Sequence, residues 1–143
     1  MSIATATIQR VEVPEADRLA FLPKHVGSGI VLIEFETLVY TNLASLCDTY
    51  RGAFWEFYEL SNRGFYMAPR LERDLILDCP GNGYNGAVSA DAAGIVATLY
   101  TLSQMASLYV GKPVGTRCAD NYHRLLAFVD EHPQARSIFG AID

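Results

Sequence analysis

Gly81-Asn82-Gly83-Tyr84-Asn85-Gly86 matches GxGxxG letter for letter. In a dinucleotide-binding unit those glycines turn a strand directly into a helix whose N-terminus holds the pyrophosphate. Here Pro80 precedes the motif, and Ala87-Val88-Ser89 intervene before the next helix cap. The segment therefore reads as a tight loop whose backbone angles only Gly and Asn adopt cheaply. Metal chemistry finds little more. His25, His123 and His132 are scattered, with no pair one helical turn apart beside a carboxylate at ligand spacing, so they read as surface or capping residues. Cys118 and His123 would lie about 140° apart round a helix. Cys118 also falls on an apolar stripe, where a thiol lacks the electropositive setting that makes it reactive. No GxSxG, HExxH or GxxxxGK[ST] occurs. Glu34 with Glu36, and Asp130 with Glu131, read as solvated faces. No catalytic residue, cofactor or metal ligand is assigned on these grounds.

The elements that position these residues can be read from periodicity. Pro14 suits the first turn of a short helix that is expected to stop before Pro23. From about Gly29 to Tyr50, Phe35, Val39, Leu43, Leu46 and Tyr50 share one helical face, although Ile30 to Phe35 has the composition of a strand. Ala53 to Leu60 alternates, Ser61-Asn62-Arg63-Gly64 has turn composition and Phe65 to Pro69 returns, which predicts a β-hairpin. A third strand is expected over Asp74 to Cys79. Ser89 can cap a long helix with Asp91 in its first turn, where the dipole favours an anion. Further helices are expected from about Arg117 to Glu131 and from Pro133 to near Gly140. This order predicts a single α+β domain over residues 1–143: a small antiparallel β-meander packed with four to five α-helices, residues 1–13 being a flexible N-terminus.

Bulk properties limit the function. Hydrophobic residues make up 50% and charged residues 19%, enough to fill a core without a staple or metal. The formal net charge of −5 argues against direct nucleic-acid binding. Its carboxylates are interspersed with Arg70, Arg73 and Arg124, far below the charge density of duplex DNA. The cysteines Cys47, Cys79 and Cys118 form no CxxC pair and fit a reducing compartment; with no basic-then-apolar leader, a cytoplasmic location is expected. Ala92 to Gly111 carries no charge. Thr98, Thr101, Gln104 and Ser107 nevertheless draw a polar stripe along it, which predicts a core helix touching solvent along one seam, with no membrane partner.

Residues 50–66 are crowded with aromatics: Tyr50, Phe54, Trp55, Phe57, Tyr58, Phe65 and Tyr66. In a two-faced strand Trp55 and Phe57 point one way while Phe54 and Tyr58 point the other. Either helices cover both faces or one face awaits a partner, for which Trp and Tyr are typical anchors. Glu56 and Glu59 argue against a nucleic-acid stacking platform.

The run Gly52 to Ser61 followed by Gly64 to Pro69 resembles the antirestriction proteins of the KlcA/ArdB family. So do Gly81 to Tyr84, Ser89 to Tyr100, Tyr122-His123, His132 and the closing Ala141-Ile142-Asp143. The resemblance implies a protein of mobile elements that relieves restriction by type I restriction–modification systems, with no cofactor, no enzymatic reaction and a compact α+β fold, distinct from the acidic DNA mimics. The expected partner is a protein, either the type I restriction complex or a host factor it needs, engaged by a monomer. For that partner the residues of choice are Trp55, Tyr58, Asn62, Phe65 and Tyr66 of the hairpin, Asn82 and Asn85 of the neighbouring loop, and Asp143, whose carboxylates offer acceptors for Arg or Lys. The alternative is a small-ligand-binding protein or enzyme that uses the Asn/Gly loop and a histidine, in a pocket lined by Asn82, Asn85 and His123.

Overall fold

A computed structural model describes residues 7–143. The chain runs β1 (Arg10–Glu12), a 3-10 turn (Glu15–Asp17), α1 (Arg18–His25), α2 (Ile30–Leu46), β2 (Trp55–Leu60), β3 (Phe65–Pro69), β4 (Leu75–Cys79), β5 (Tyr84–Val88), α3 (Ala90–Leu108), α4 (Pro113–Val129) and α5 (Ala135–Ile142). It is an α+β domain of five helices and two small antiparallel sheets.

Helix α3 is the axis of the core. Ile95, Val96, Leu99, Leu102 and Met105 are fully buried, and β3, α2, α4 and α5 pack around them. Strand β3 lies so close that a Cβ at Gly94 would come within 2.4 Å of the Ala68 Cα and 2.5 Å of the Met67 carbonyl oxygen. Only glycine allows that approach. The expected solvent seam on α3 is only half present. Gln104 and Ser107 are exposed, but Thr98 and Thr101 are buried. Their hydroxyls donate back to the Gly94 and Ala97 carbonyls at 2.8 Å, which satisfies them without water. Thr98 also accepts the Met67 N–H at 3.3 Å, so the helix closes the outer edge of the first sheet.

That closure explains why the strands do not form one meander. β2 and β3 pair as predicted, from Trp55↔Pro69 to Glu59↔Phe65, and the other side of β2 takes β1, Arg10↔Leu60 to Glu12↔Tyr58. With α3 covering the free edge of β3, β4 needs a separate partner and finds it in β5, from Leu75↔Val88 to Cys79↔Tyr84. The Asn/Gly segment is thus a loop only to Gly83; Tyr84-Asn85-Gly86 continues as strand. The N-terminal stretch also differs from expectation. β1 is hydrogen-bonded, the Ile8 N–H donates to Glu131 at 2.9 Å and Val13 is buried, whereas residues 1–6 of the stretch expected to be flexible lie outside the described residues.

Helix boundaries move as well. α2 ends at Leu46, short of the expected Tyr50. α1 runs through Pro23 because its last turn is completed beyond the proline, Val26 N–H to Leu22 O and Gly27 N–H to Pro23 O. α4 begins at Pro113, ahead of the expected Arg117; proline suits that position. No single helix among the described residues is long and apolar enough to cross a membrane.

Candidate functional site

The hairpin chosen as a docking surface is mostly core. Trp55, Phe65 and Tyr66 are buried at 4%, 0% and 0% exposure, which removes them from the accessible surface. The Trp55 indole N–H donates to the Tyr50 hydroxyl at 2.8 Å. The second aromatic face is flanked by cations, with Phe54 still exposed. The Arg10 guanidinium lies 4.5 Å from the Tyr58 ring centre, and Arg18 and Arg70 flank Phe54 at 4.5 and 4.7 Å. Both arginines also pair with Glu56, a carboxylate buried beneath them.

Asn62 and Asn82 are staples. Asn62 accepts the Gly64 N–H and donates to the Arg124 carbonyl at 2.8 Å, which fastens the hairpin tip to α4. Asn82 accepts the Tyr84 N–H and donates to the Ala141 carbonyl at 2.9 Å, which fastens the β4–β5 loop to the C-terminal helix. Tyr58 and Asn62 are half-buried, while Asn82, Asn85 and Asp143 are exposed. The structure therefore does not bring the eight residues into one surface. Nor do the grooves at His25 and His132 include Asn82 or Asn85 in their walls.

What the fold does assemble is a polar cluster around Asp91. The Ser89 hydroxyl caps α3 by accepting the Ala92 N–H at 3.1 Å, and this cap aims Asp91 at the face of the first sheet. One Asp91 oxygen accepts from the Tyr66 hydroxyl at 2.7 Å and from Arg10 at 2.6 Å; the other meets His132 Nε2 at 2.9 Å. Because His132 Nδ1 accepts the Gln134 N–H at 2.9 Å, the ring proton sits on Nε2 and points at the carboxylate. Tyr58 and Phe128 stack on the two sides of the Tyr66 ring at 4.9 and 5.7 Å. Burial pushes the Asp91 carboxyl up, but the His132 and Tyr66 hydrogen bonds and the Arg10 charge outweigh it and hold it below the usual range. Burial, reinforced by that carboxylate, raises the Tyr66 hydroxyl far above its ordinary value.

A groove of about 630 Å³ opens beside the cluster, walled by Ile8, Arg10, Phe128, Glu131 and Gln134 among others. Asp91 and His132 themselves line this groove, and both imidazole nitrogens and both Asp91 oxygens are engaged within the cluster. The sequence reads His132 as a surface or capping residue and gives Asp91 only a role with the helix dipole. Arg10 was set aside with the N-terminus. The one available signal was Tyr66, a hydroxyl on a strand that must be buried and so requires a partner.

Elsewhere, Cys47, Cys79 and Cys118 are free and buried, and burial raises the Cys118 thiol to about 11, the wrong direction for a nucleophile. Among the described residues, no group of three His, Cys, Asp or Glu is placed to hold a metal ion.

A family model described as antirestriction protein matches residues 48–143, which include the hairpin, the Asp91 cap and His132. The chain belongs to the antirestriction protein family. Full-length relatives agree. The antirestriction protein KlcA of Escherichia coli is 46% identical over 137 residues, covering 95% of this chain and 94% of the relative. A putative antirestriction protein of Escherichia coli K12, YubI, is 33% identical, covering 93% and 94%. Among solved structures, one of the KlcA and ArdB proteins superposes with a TM-score of 0.89 at 43% identity over 100% of both chains. Those two proteins are described as having a novel fold and antirestriction activity against Type I DNA restriction systems in vivo but not in vitro. The antirestriction chain described here shares that fold throughout.

Proposed function

We propose that this protein relieves DNA restriction by type I restriction–modification systems as a non-enzymatic inhibitor that binds a protein partner. The observation that carries the reading is the full-length match to proteins active against such systems in vivo but not in vitro. Activity that needs the cell favours a host factor required by the restriction complex over the purified enzyme itself as the target. Engagement of the Asp91 and His132 atoms within their own cluster supports inhibition by binding over catalysis.

The charge arrangement supports a mechanism other than DNA mimicry. Glu56, Glu59 and Asp91 are each paired with a cation of the same chain, whereas a mimic presents its carboxylates unpaired in rows. The partner surface draws on the accessible residues among those expected to bind: Asn82, Asn85, Asp143 and the outer edge of Tyr58. The ligand-binding alternative is favoured by no observation at the Asn/Gly loop.

The test is the plating efficiency of unmodified phage on cells with an active type I system, with and without this protein. A rise of orders of magnitude that is absent from cells lacking the system supports the proposal. Unchanged plating with soluble protein present refutes it. Asp143→Asn and Asn85→Ala, which alter exposed side chains, then separate loss of binding from loss of folding; Trp55→Ala cannot, because it opens a cavity in the core.

A further inference from the structure

A second pocket has the opposite character to the Asp91 cluster. It holds about 410 Å³ and is lined by Lys24 and His25 at the end of α1, Glu59 on β2, Arg63 in the β2–β3 turn, and Arg117, Asn121 and Arg124 on α4. The α4 residues share a face because they are four and three positions apart along the helix. Asn121 sets the geometry: its amide donates to the His25 carbonyl at 3.0 Å and its oxygen accepts from Arg124 at 3.1 Å. Four cations of a chain with only eleven, and with a net charge of −5, thus meet in one place. Glu59 takes up Lys24 at 2.7 Å, so the three guanidinium groups remain.

The floor of this pocket is His25. Its side chain is 7% exposed, packed between Phe21 and Phe65, yet its Nε2 has no hydrogen-bond partner among the described residues; the nearest carboxylate oxygen, on Glu59, is 3.8 Å away. A buried polar atom left unpaired is costly, and the pocket beside this ring is lined by three arginines. Arg63 adds to the pattern. It is the sole non-glycine with positive φ, 74°, among the described residues, where glycine or asparagine would sit more cheaply.

We propose that this pocket binds a phosphate dianion, free or as the terminal group of a phosphate ester, held by Arg63, Arg117 and Arg124 over the buried His25 ring. Guanidinium groups match phosphate oxygens in a bidentate fork. A dianion balances three arginines better than a single carboxylate, and the pocket is within the size range of small-ligand sites. This assignment stands apart from the antirestriction reading.

Binding is coupled to a proton. Burial lowers His25 to about 4; Glu59 opposes that, while Lys24 and Arg124 add to it. Arg63 and Arg117 complete the charges around the pocket, and the neutral Asn121 lies beneath Arg124. A dianion held between the arginines offsets the Lys24 and Arg124 charges that disfavour the imidazolium, so His25 takes up a proton more readily as the ligand enters and affinity rises as pH falls from 7 to 5.

The experiment titrates the protein at constant ionic strength with sulfate, inorganic phosphate and a nucleoside 5′-monophosphate, following the His25 imidazole signals by NMR. Sulfate stays dianionic across the range, so its pH dependence reports His25. The expected result is a saturable shift, at least severalfold tighter for sulfate at pH 5 than at pH 7. It should weaken tenfold or more in Arg117→Gln/Arg124→Gln and severalfold in Arg63→Gly. Tighter binding of the monophosphate identifies an ester as the ligand; equal binding identifies free phosphate. Should the double variant fail to fold, Arg63→Gly alone decides. Shifts that stay linear with concentration, or are the same in wild type and variants, overturn the assignment. So does binding of duplex DNA, steeply salt-dependent, with no saturation by the small anions.

Discussion

The protein carries two histidine-centred clusters on opposite terms. Around His132 the donors share an acceptor: Arg10, Tyr66 and His132 converge on Asp91, and Gln134 fixes the ring. Around His25 the donors outnumber the acceptors, and a buried Nε2 has none among the described residues. A closed network joins elements distant in sequence and contributes stability; an excess of donors pointing into a pocket is what ligand recognition requires. Burial alone does not distinguish the two, since both rings are largely enclosed. The count of unsatisfied atoms does.

The largest effect should come from breaking the closed cluster. Asp91→Ala leaves the Tyr66 hydroxyl, Arg10 and His132 without their shared acceptor, and the expected loss is about 3 kcal/mol of stability. Urea unfolding checks it. A loss under about 0.5 kcal/mol would mean that the network adds nothing to the fold.

Lowering the pH separates the clusters. His25 titrates at about 4 in the fold against about 6.5 unfolded, so the unfolded chain takes up its proton first. The stability that neutral His25 represents is complete above about pH 6.5 and is lost as pH falls towards 4. Allowing for solvent on the open side of the pocket, the loss is about 2 kcal/mol. Asp91 works in a lower window. Its folded value is depressed, so its contribution is present above about pH 4 and lost below that. In His25→Phe the upper phase should vanish from the stability–pH curve while the lower one stays. A curve unchanged by this substitution would show that another group carries the upper phase.

How much of this was legible in the sequence follows the range of the interactions. The Ser89 cap, the β2–β3 hairpin and the apolar face of α2 depend on neighbours a few positions away, and the periodic pattern records them. β5 was hidden because Tyr84-Asn85-Gly86 has loop composition and becomes strand only when β4, shut off from β3 by α3, needs a partner. The start of α4 was hidden similarly. Gly115 lies in its first turn, where a Cβ would come within 2.2 Å of the Tyr109 carbonyl oxygen, a contact no local pattern records. The aromatic residues are legible in the sequence, but alternation leaves open what covers each face and does not reveal that Arg10, Arg18 and Arg70 lie against the second one. Both clusters were beyond reach. Arg10 and His132 stand 81 and 41 positions from Asp91, and only the folded chain gathers Arg63, Arg117 and Arg124 over His25.

The smallest expected effect is also the sharpest discriminator between the two kinds of cluster. Arg63 makes its contribution to the pocket from a left-handed backbone conformation at φ 74°. Substitution by glycine removes the clash between Cβ and the following carbonyl but adds conformational freedom to the unfolded chain. The first effect is somewhat larger, so Arg63→Gly should gain about 0.5 kcal/mol, or roughly 1–2 °C in Tm. A residue kept for stability should not behave this way. If thermal unfolding shows instead that Arg63→Gly is destabilising by about 1 kcal/mol or more, the arginine is holding the turn through its own contacts, and the pocket resembles the Asp91 cluster more than it differs from it.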